Sequence, residues 1–306
     1  TDTQGNRTMG RVKNYDVDGV SFQTLTKGDL IGYGSNPYFS IPPYQRQYTW
    51  GTPQVLRLLG DVYDYFLEAC EETANRKIDR EEDEESAFSE KFIGTFILVE
   101  KSPEIKRAKT VLEVVDGQQR LTTLCLSIAA GIRVLLEISE KIAALREEET
   151  IDPKVASFVR KVCKEFAEQI RKKITMLYDS SNANNYAPNL FREECDIPEQ
   201  KSKNSRLRNN SSRRGIPKSC EIAEMTDDEV KACYKSPTAR FFFYFAKVGD
   251  ILSTRNLSRQ EFSEAISSLQ TGEKYLVYEE EGEENLCYKR NYKLSYDFLF
   301  QLSKGM

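Results

Sequence analysis

The sequence predicts an α+β protein, with a small β-containing core in the first 150 residues and a mainly helical region after it. Three observations carry that expectation. Two apolar runs, FIGTFILV at 92–99 and TVLEVV at 110–115, flank a polar loop in the manner of a hairpin. The second run ends in Asp116-Gly117 and passes straight into a long apolar helical pattern. Beyond residue 150 apolar residues recur at helical spacing behind proline and serine start signals. With 306 residues the chain holds enough material for one large domain or two, and the division is placed at 1–150 and 151–306.

Residues 1–20 are polar and read as a loose arm. Residues 38–41 (YFSI) form a short strand that Pro42-Pro43 ends, since neither ring can donate to a ladder. Thr52-Pro53 supplies a cap and a proline at the first helical position. Val55, Leu58, Leu59, Val62 and Phe66 then predict an amphipathic helix over 53–70. Residues 71–90 carry nine acidic and three basic side chains, a solvated helix end or a linker. The run at 92–99, apolar at successive positions, has the pattern of a strand buried on both faces.

Leu121, Leu124, Cys125, Ile128, Leu135 and Leu136 predict a long helix after the Asp116-Gly117 turn. Asp152-Pro153 opens another, with Val155, Phe158, Val159, Val162, Phe166, Ile170, Ile174 and Leu177 on one face. Residues 180–219 are rich in Asn, Ser and Arg and read as a flexible basic insertion. Between 201 and 218 it holds seven basic residues and no acidic one. Ser236-Pro237 starts a further helix, as does Ser258 with Glu261 as a capping box. Residues 275–278 and 286–288 predict a late hairpin.

No histidine occurs in the chain. That excludes a Ser-His-Asp triad, a Cys-His dyad and any His-containing zinc site. The seven cysteines are never closer than thirteen residues and form no C-x-x-C, so they read as reduced thiols, several of them in cores. A net charge of −4 argues against a surface that coats nucleic acid all over. No apolar run is read as approaching a membrane span and no signal peptide opens the chain, so a cytoplasmic protein with no membrane partner is expected. The chain opens on Thr1 and stops soon after Phe298-Leu299-Phe300, as a piece of a longer protein would.

The sharpest chemistry lies at strand–DGQQR–helix, residues 116–120. A strand ending in a glycine turn and a helix start makes an anion site, where free N–H groups and the positive end of the helix dipole converge. Gly117 admits close backbone approach, Gln118 and Gln119 offer amides, and Arg120 offers a planar fork. A ligand-free reading stands beside it: Asp116 and Gln119 satisfy a capping box. That reading leaves Arg120 opposing the dipole in the first turn. IPPYQRQYTW at 41–50 sets Tyr44, Tyr48 and Trp50 among Gln45, Arg46 and Gln47, which suits a stacked base or a simple core edge. Glu113 sits on the same strand face as Val115.

Together IPPYQRQYTW, FIGTFILV and VVDGQQRLTTL resemble the GmrSD-type N-terminal domain family, most closely over residues 37–128. The resemblance implies a ParB/sulfiredoxin-like core in a modification-dependent restriction or antiphage system. It also implies hydrolysis of a nucleoside triphosphate coupled to DNA nicking or cleavage. On it, Asp116, Arg120 and Gln119 are the expected catalytic residues, and Tyr44, Gln45, Arg46, Gly117 and Gln118 the expected nucleotide contacts. Asp116 is the expected holder of Mg²⁺, and DNA, modified DNA included, is the expected partner. Two departures accompany it. A later Asn-x-Arg-Gly…Leu segment survives only as Arg290-Asn291 and Leu294, and nothing in the chain supplies a His-dependent nuclease half. The alternative function is a nucleotide- or modified-DNA-sensing module that works with a separate nuclease domain or partner protein.

Overall fold

The computed structural model describes residues 38–42, 44–79, 94–101, 111–177, 186–188, 190–192, 225–234, 237–276 and 283–305. Strands β1 (Tyr38–Ile41), β2 (Ile97–Lys101), β3 (Val111–Asp116) and β6 (Leu190–Arg192) form a mixed sheet in the order β2-β3-β1-β6. β1 runs parallel to both β3 and β6, and β2 is the antiparallel partner of β3, with Val99 opposite Glu113. The expected hairpin is therefore present. β2 lies at the sheet edge and exposes Ile97 and Val99, which corrects the expectation of a strand buried on both faces. β4 (Thr175–Leu177) and β5 (Tyr186–Pro188) pair antiparallel in a second small sheet. β5 and β6 lie inside the stretch read as a flexible insertion. Of the acidic stretch at 71–90, residues 71–79 continue a helix; residues 80–90, the basic run at 201–218 and the arm at 1–20 lie outside the described residues.

Helix α1 (Thr52–Asp79) follows the 44–51 segment, and α2 (Gln118–Glu147) follows β3. α2 packs along α3 (Pro153–Ile174), with Ala129, Ala130 and Ile132 wholly buried. By length and composition α2 could cross a bilayer, contrary to the sequence expectation, and 61% of its apolar window is buried within the protein instead. Asp152 caps α3 as expected, accepting from the N–H of Lys154 and Val155. Only the C-terminal part of the predicted α3 face, Ile170 and Ile174, packs against the core. Val155, Phe158, Val162 and Phe166 are exposed, while Ala156, Cys163, Ala167, Arg171 and Ile174 face inward. Small residues on the inner face let α3 approach α2 closely, and apolar spacing alone does not tell one face from the other. Burial pushes the Cys125 thiol up to about 12 and also raises that of Cys163.

The second half contributes α4 (Asp227–Cys233), α5 (Pro237–Lys247), α6 (Gly249–Ser253), α7 (Arg259–Glu273), a 3₁₀ turn (Lys274–Leu276) and α8 (Glu283–Gly305). Ser258 and Glu261 form the expected capping box on α7. The late hairpin does not form, because residues 274–276 close a 3₁₀ turn and 286–288 are helical in α8. α5 buries residues 239–246 without a break, as a helix at the centre of a core must. Phe241 meets Phe245 and Tyr296 with ring centres 5.2 and 5.1 Å apart. Buried Arg133 of α2 donates to the Ile266 carbonyl of α7 at 3.1 Å and pairs with Glu137 at 3.0 Å. The sequence-based division at residue 150 falls between α2 and α3, and both the sheet and the hydrophobic core extend across it.

Candidate functional site

β3 ends at Asp116, opposite Ile97 in the ladder, and Gly117 turns the chain into α2. Gly117 has φ 88°, in the left-handed region, and a Cβ there would sit 2.6 Å from Phe96 Cδ1. Glycine is required on both counts. The expected capping box is absent: Gly117, not Asp116, occupies the N-cap, and no side chain caps the helix. Ladder pairing keeps Asp116 in the strand and leaves its carboxylate exposed. Among the described residues nothing accepts from the N–H groups of Gln118, Gln119 or Arg120. Three uncommitted donors at the positive end of a 30-residue helix make a cradle for an anion.

Gln118 and Gln119 are buried and face the 44–50 segment. Gln118 Nε2 donates to Gln45 Oε1 at 3.1 Å and to the Arg46 carbonyl at 2.9 Å. Gln119 Nε2 donates to the Gln47 carbonyl at 2.9 Å, and its Oε1 accepts from the Thr49 N–H at 2.8 Å. Each amide meets the backbone of an irregular segment whose polar groups lack a ladder. The two glutamines thereby dock that segment on the helix start. Tyr48 lies in the core, bonded to Thr123 Oγ1 at 2.9 Å and stacked on Tyr292 at 4.7 Å. Trp50 is partly buried against the core, with its carbonyl accepting from Ser295 at 3.1 Å.

Asn291 donates to the Thr49 carbonyl at 3.4 Å, so α8 braces the same segment from behind. Asn291 of the degenerate echo thus lies against the site, while Leu294 is exposed.

Arg120 turns toward the residues before β2. Its Nη1 donates to the Thr95 carbonyl at 3.0 Å, and its guanidinium lies 5.8 Å from the centre of the Phe96 ring. A Cβ on Gly94, whose φ is 112°, would fall 2.5 Å from Arg120 Cζ. Gly94 therefore makes room for this arginine, a role the sequence reading missed. The available signal was a glycine inside an otherwise apolar strand run, which marks close approach of another group.

Along the 44–47 segment Tyr44 and Arg46 are exposed while Gln45 and Gln47 are half-buried. The Tyr44 hydroxyl donates to Glu113 of β3, and Gln45 Nε2 donates to the Val115 carbonyl. The hydrogen bond to Glu113 raises the Tyr44 phenol above its ordinary range, with smaller contributions from desolvation and the Glu113 charge. Among the described residues the side chains of Arg46 and Asp116 make no hydrogen bond or ion pair. Among the described residues no group of three or more Cys, Asp or Glu side chains gathers as a metal site.

A family model described as the GmrSD restriction endonuclease, N-terminal domain, matches residues 25–299. The chain belongs to this family. It is accordingly a component of a restriction system. No curated protein matches the chain.

In this GmrSD N-terminal domain the three segments that carried the resemblance converge at one end of the sheet. The 44–50 segment lies on the start of α2, residues 94–96 hold Arg120, and residues 116–120 form the turn between them. Of the eight expected site residues, Tyr44, Arg46 and Asp116 are exposed, and Gly117 and Arg120 are half-buried. Gln45, Gln118 and Gln119 tie the pieces together.

Proposed function

We propose that the β3–Gly117–α2 turn binds and hydrolyses a nucleoside triphosphate, and that this GmrSD domain couples the hydrolysis to DNA nicking or cleavage. The observation that carries the reading is the uncapped start of α2, with Arg120 held over Phe96 beside it and the exposed guanidinium of Arg46 on the segment docked there. Phosphate oxygens would accept from the N–H groups of residues 118–120, and the two arginines would balance their charge. Water attacks the γ-phosphorus in line as the bond to the β-bridging oxygen breaks. Arg120 stabilises the charge that gathers on the phosphoryl oxygens.

A lone exposed carboxylate such as Asp116 fits Mg²⁺, which commonly takes one or two protein carboxylates and fills its remaining positions with waters and phosphates. Bound there, the ion would neutralise charge shared between the β- and γ-phosphates. The mixed sheet with a helix springing from β3 supports a ParB/sulfiredoxin-like core. DNA, modified DNA included, would be the second partner, cut by a nuclease domain or partner protein that this chain does not itself supply through histidine.

Phosphate release from ATP, GTP, CTP and UTP with Mg²⁺ tests the reading. Arg120→Ala and Asp116→Asn are each expected to cut turnover about 100-fold or more. Thermal unfolding checks that the variants fold, and Arg46→Ala, at an exposed site, provides a third variant. Wild-type turnover in all three overturns the assignment. Nucleotide binding by the wild type without phosphate release overturns hydrolysis and leaves the sensing module.

A further inference from the structure

Glu113 has no place in the expected site, yet it receives the hydroxyl of Tyr44. Gln45, next along the chain, reaches the Val115 carbonyl, and Gln118 holds the Arg46 carbonyl. The segment is thus fastened to β3 and α2 at three successive residues. The Gln45 N–H closes a turn on the Pro42 carbonyl at 3.0 Å, and Tyr44 and Arg46, the neighbours of Gln45 along the chain, are both exposed.

Tyr44 is 68% exposed and anchored only through its far end. That anchor holds the ring in one orientation while its area stays open to solvent. An unanchored tyrosine on such a segment would populate several rotamers, and binding would have to order it at a cost in affinity. A fixed aromatic face beside an arginine and a helix start matches a nucleotide part by part. The ring suits the base, and the cation and N–H groups suit the phosphates.

We infer that Glu113 is a positioning residue for the nucleobase: it holds Tyr44 as a stacking platform, so affinity for the base depends on it and affinity for the phosphates does not. The inference rests on the nucleotide reading above. It assigns Glu113 no contact with the ligand and no part in proton transfer.

Calorimetric titration of ATP, GTP, CTP, UTP and inorganic tripolyphosphate, each with Mg²⁺, tests it. Tyr44→Ala is expected to weaken every nucleotide about 10-fold. Tyr44→Phe and Glu113→Ala each weaken it about 3-fold, the loss of one hydrogen bond. The double variant Tyr44→Phe/Glu113→Ala is no weaker than either single one, because both remove the same contact. Glu113→Gln keeps a carbonyl acceptor and restores affinity to within about 2-fold of wild type. Tripolyphosphate binds all variants alike. Unchanged nucleotide affinity in Glu113→Ala overturns the inference. So does a loss that tripolyphosphate shares, or additive losses in the double variant. If wild type binds neither nucleotide nor tripolyphosphate, the nucleotide reading itself falls.

Discussion

Gly117 and Gly94 show how single backbone positions decide what this site can be. At φ 88° a side chain costs about 1–2 kcal/mol, and a Cβ on Gly117 would also overlap Phe96. Phe96 in turn carries the Arg120 guanidinium on its face. Gly117→Ala is therefore expected to destabilise by about 2–3 kcal/mol, read as a lower urea midpoint at unchanged slope. An unchanged midpoint would show that Phe96 yields without cost. Residues 116–120 were legible in the sequence because strand end, glycine and helix start are neighbours there. Gly94 was not, since its role depends on an arginine 26 positions later. Gln118 and Gln119 were legible as polar residues at a turn, but not as braces. What they brace arrives from residues 45–49, 70 or more positions earlier.

Among the elements, the long helices were readable because caps, prolines and a 3.6 period agree, as Asp152-Pro153 and the Ser258–Glu261 box illustrate. The three-residue strands β4, β5 and β6 were not readable, because so few residues display no period. α3 was found with only the end of its inner face right, because that face uses alanine and a buried Arg171 where the pattern favours large apolar residues. Arg171 is satisfied there by Glu168, at 2.8 and 2.9 Å. α7 crosses α5 through Gly272, where a Cβ would meet Tyr244 Cβ at 2.9 Å. In an open helix Gly→Ala gains up to about 1 kcal/mol of propensity. At this crossing overpacking costs about 1–3 kcal/mol and is expected to win, because the obstructing atom is fixed to the α5 backbone. Gly272→Ala should accordingly melt below wild type. A higher Tm would mean that the two helices separate freely.

At the scale of the whole molecule, the question is whether the β-containing first part and the helical second part are separate folding units. Parallel pairing of β1 with β6 adds a strand from beyond residue 150 to the sheet, and α3 packs along α2. Arg133 adds a polar tie, since its side chain is almost wholly buried and its partners Ile266 and Glu273 lie on α7. Removing one side of such a network leaves a buried charge unmatched, at a cost of about 3–5 kcal/mol. These links predict one cooperative unfolding transition. Trp50, the single tryptophan, reports on the junction between the 44–50 segment and α8, because its carbonyl accepts from Ser295. Far-UV circular dichroism reports on helices from both halves. The two signals should share a midpoint in urea, and Arg133→Met should shift both together. Residues 151–306 produced alone should fail to fold, since α3 would expose the face that α2 covers and β6 would lose β1. Separate midpoints for tryptophan and helix, or a cooperative transition in the isolated 151–306 fragment, would establish two units, as the division at residue 150 expects.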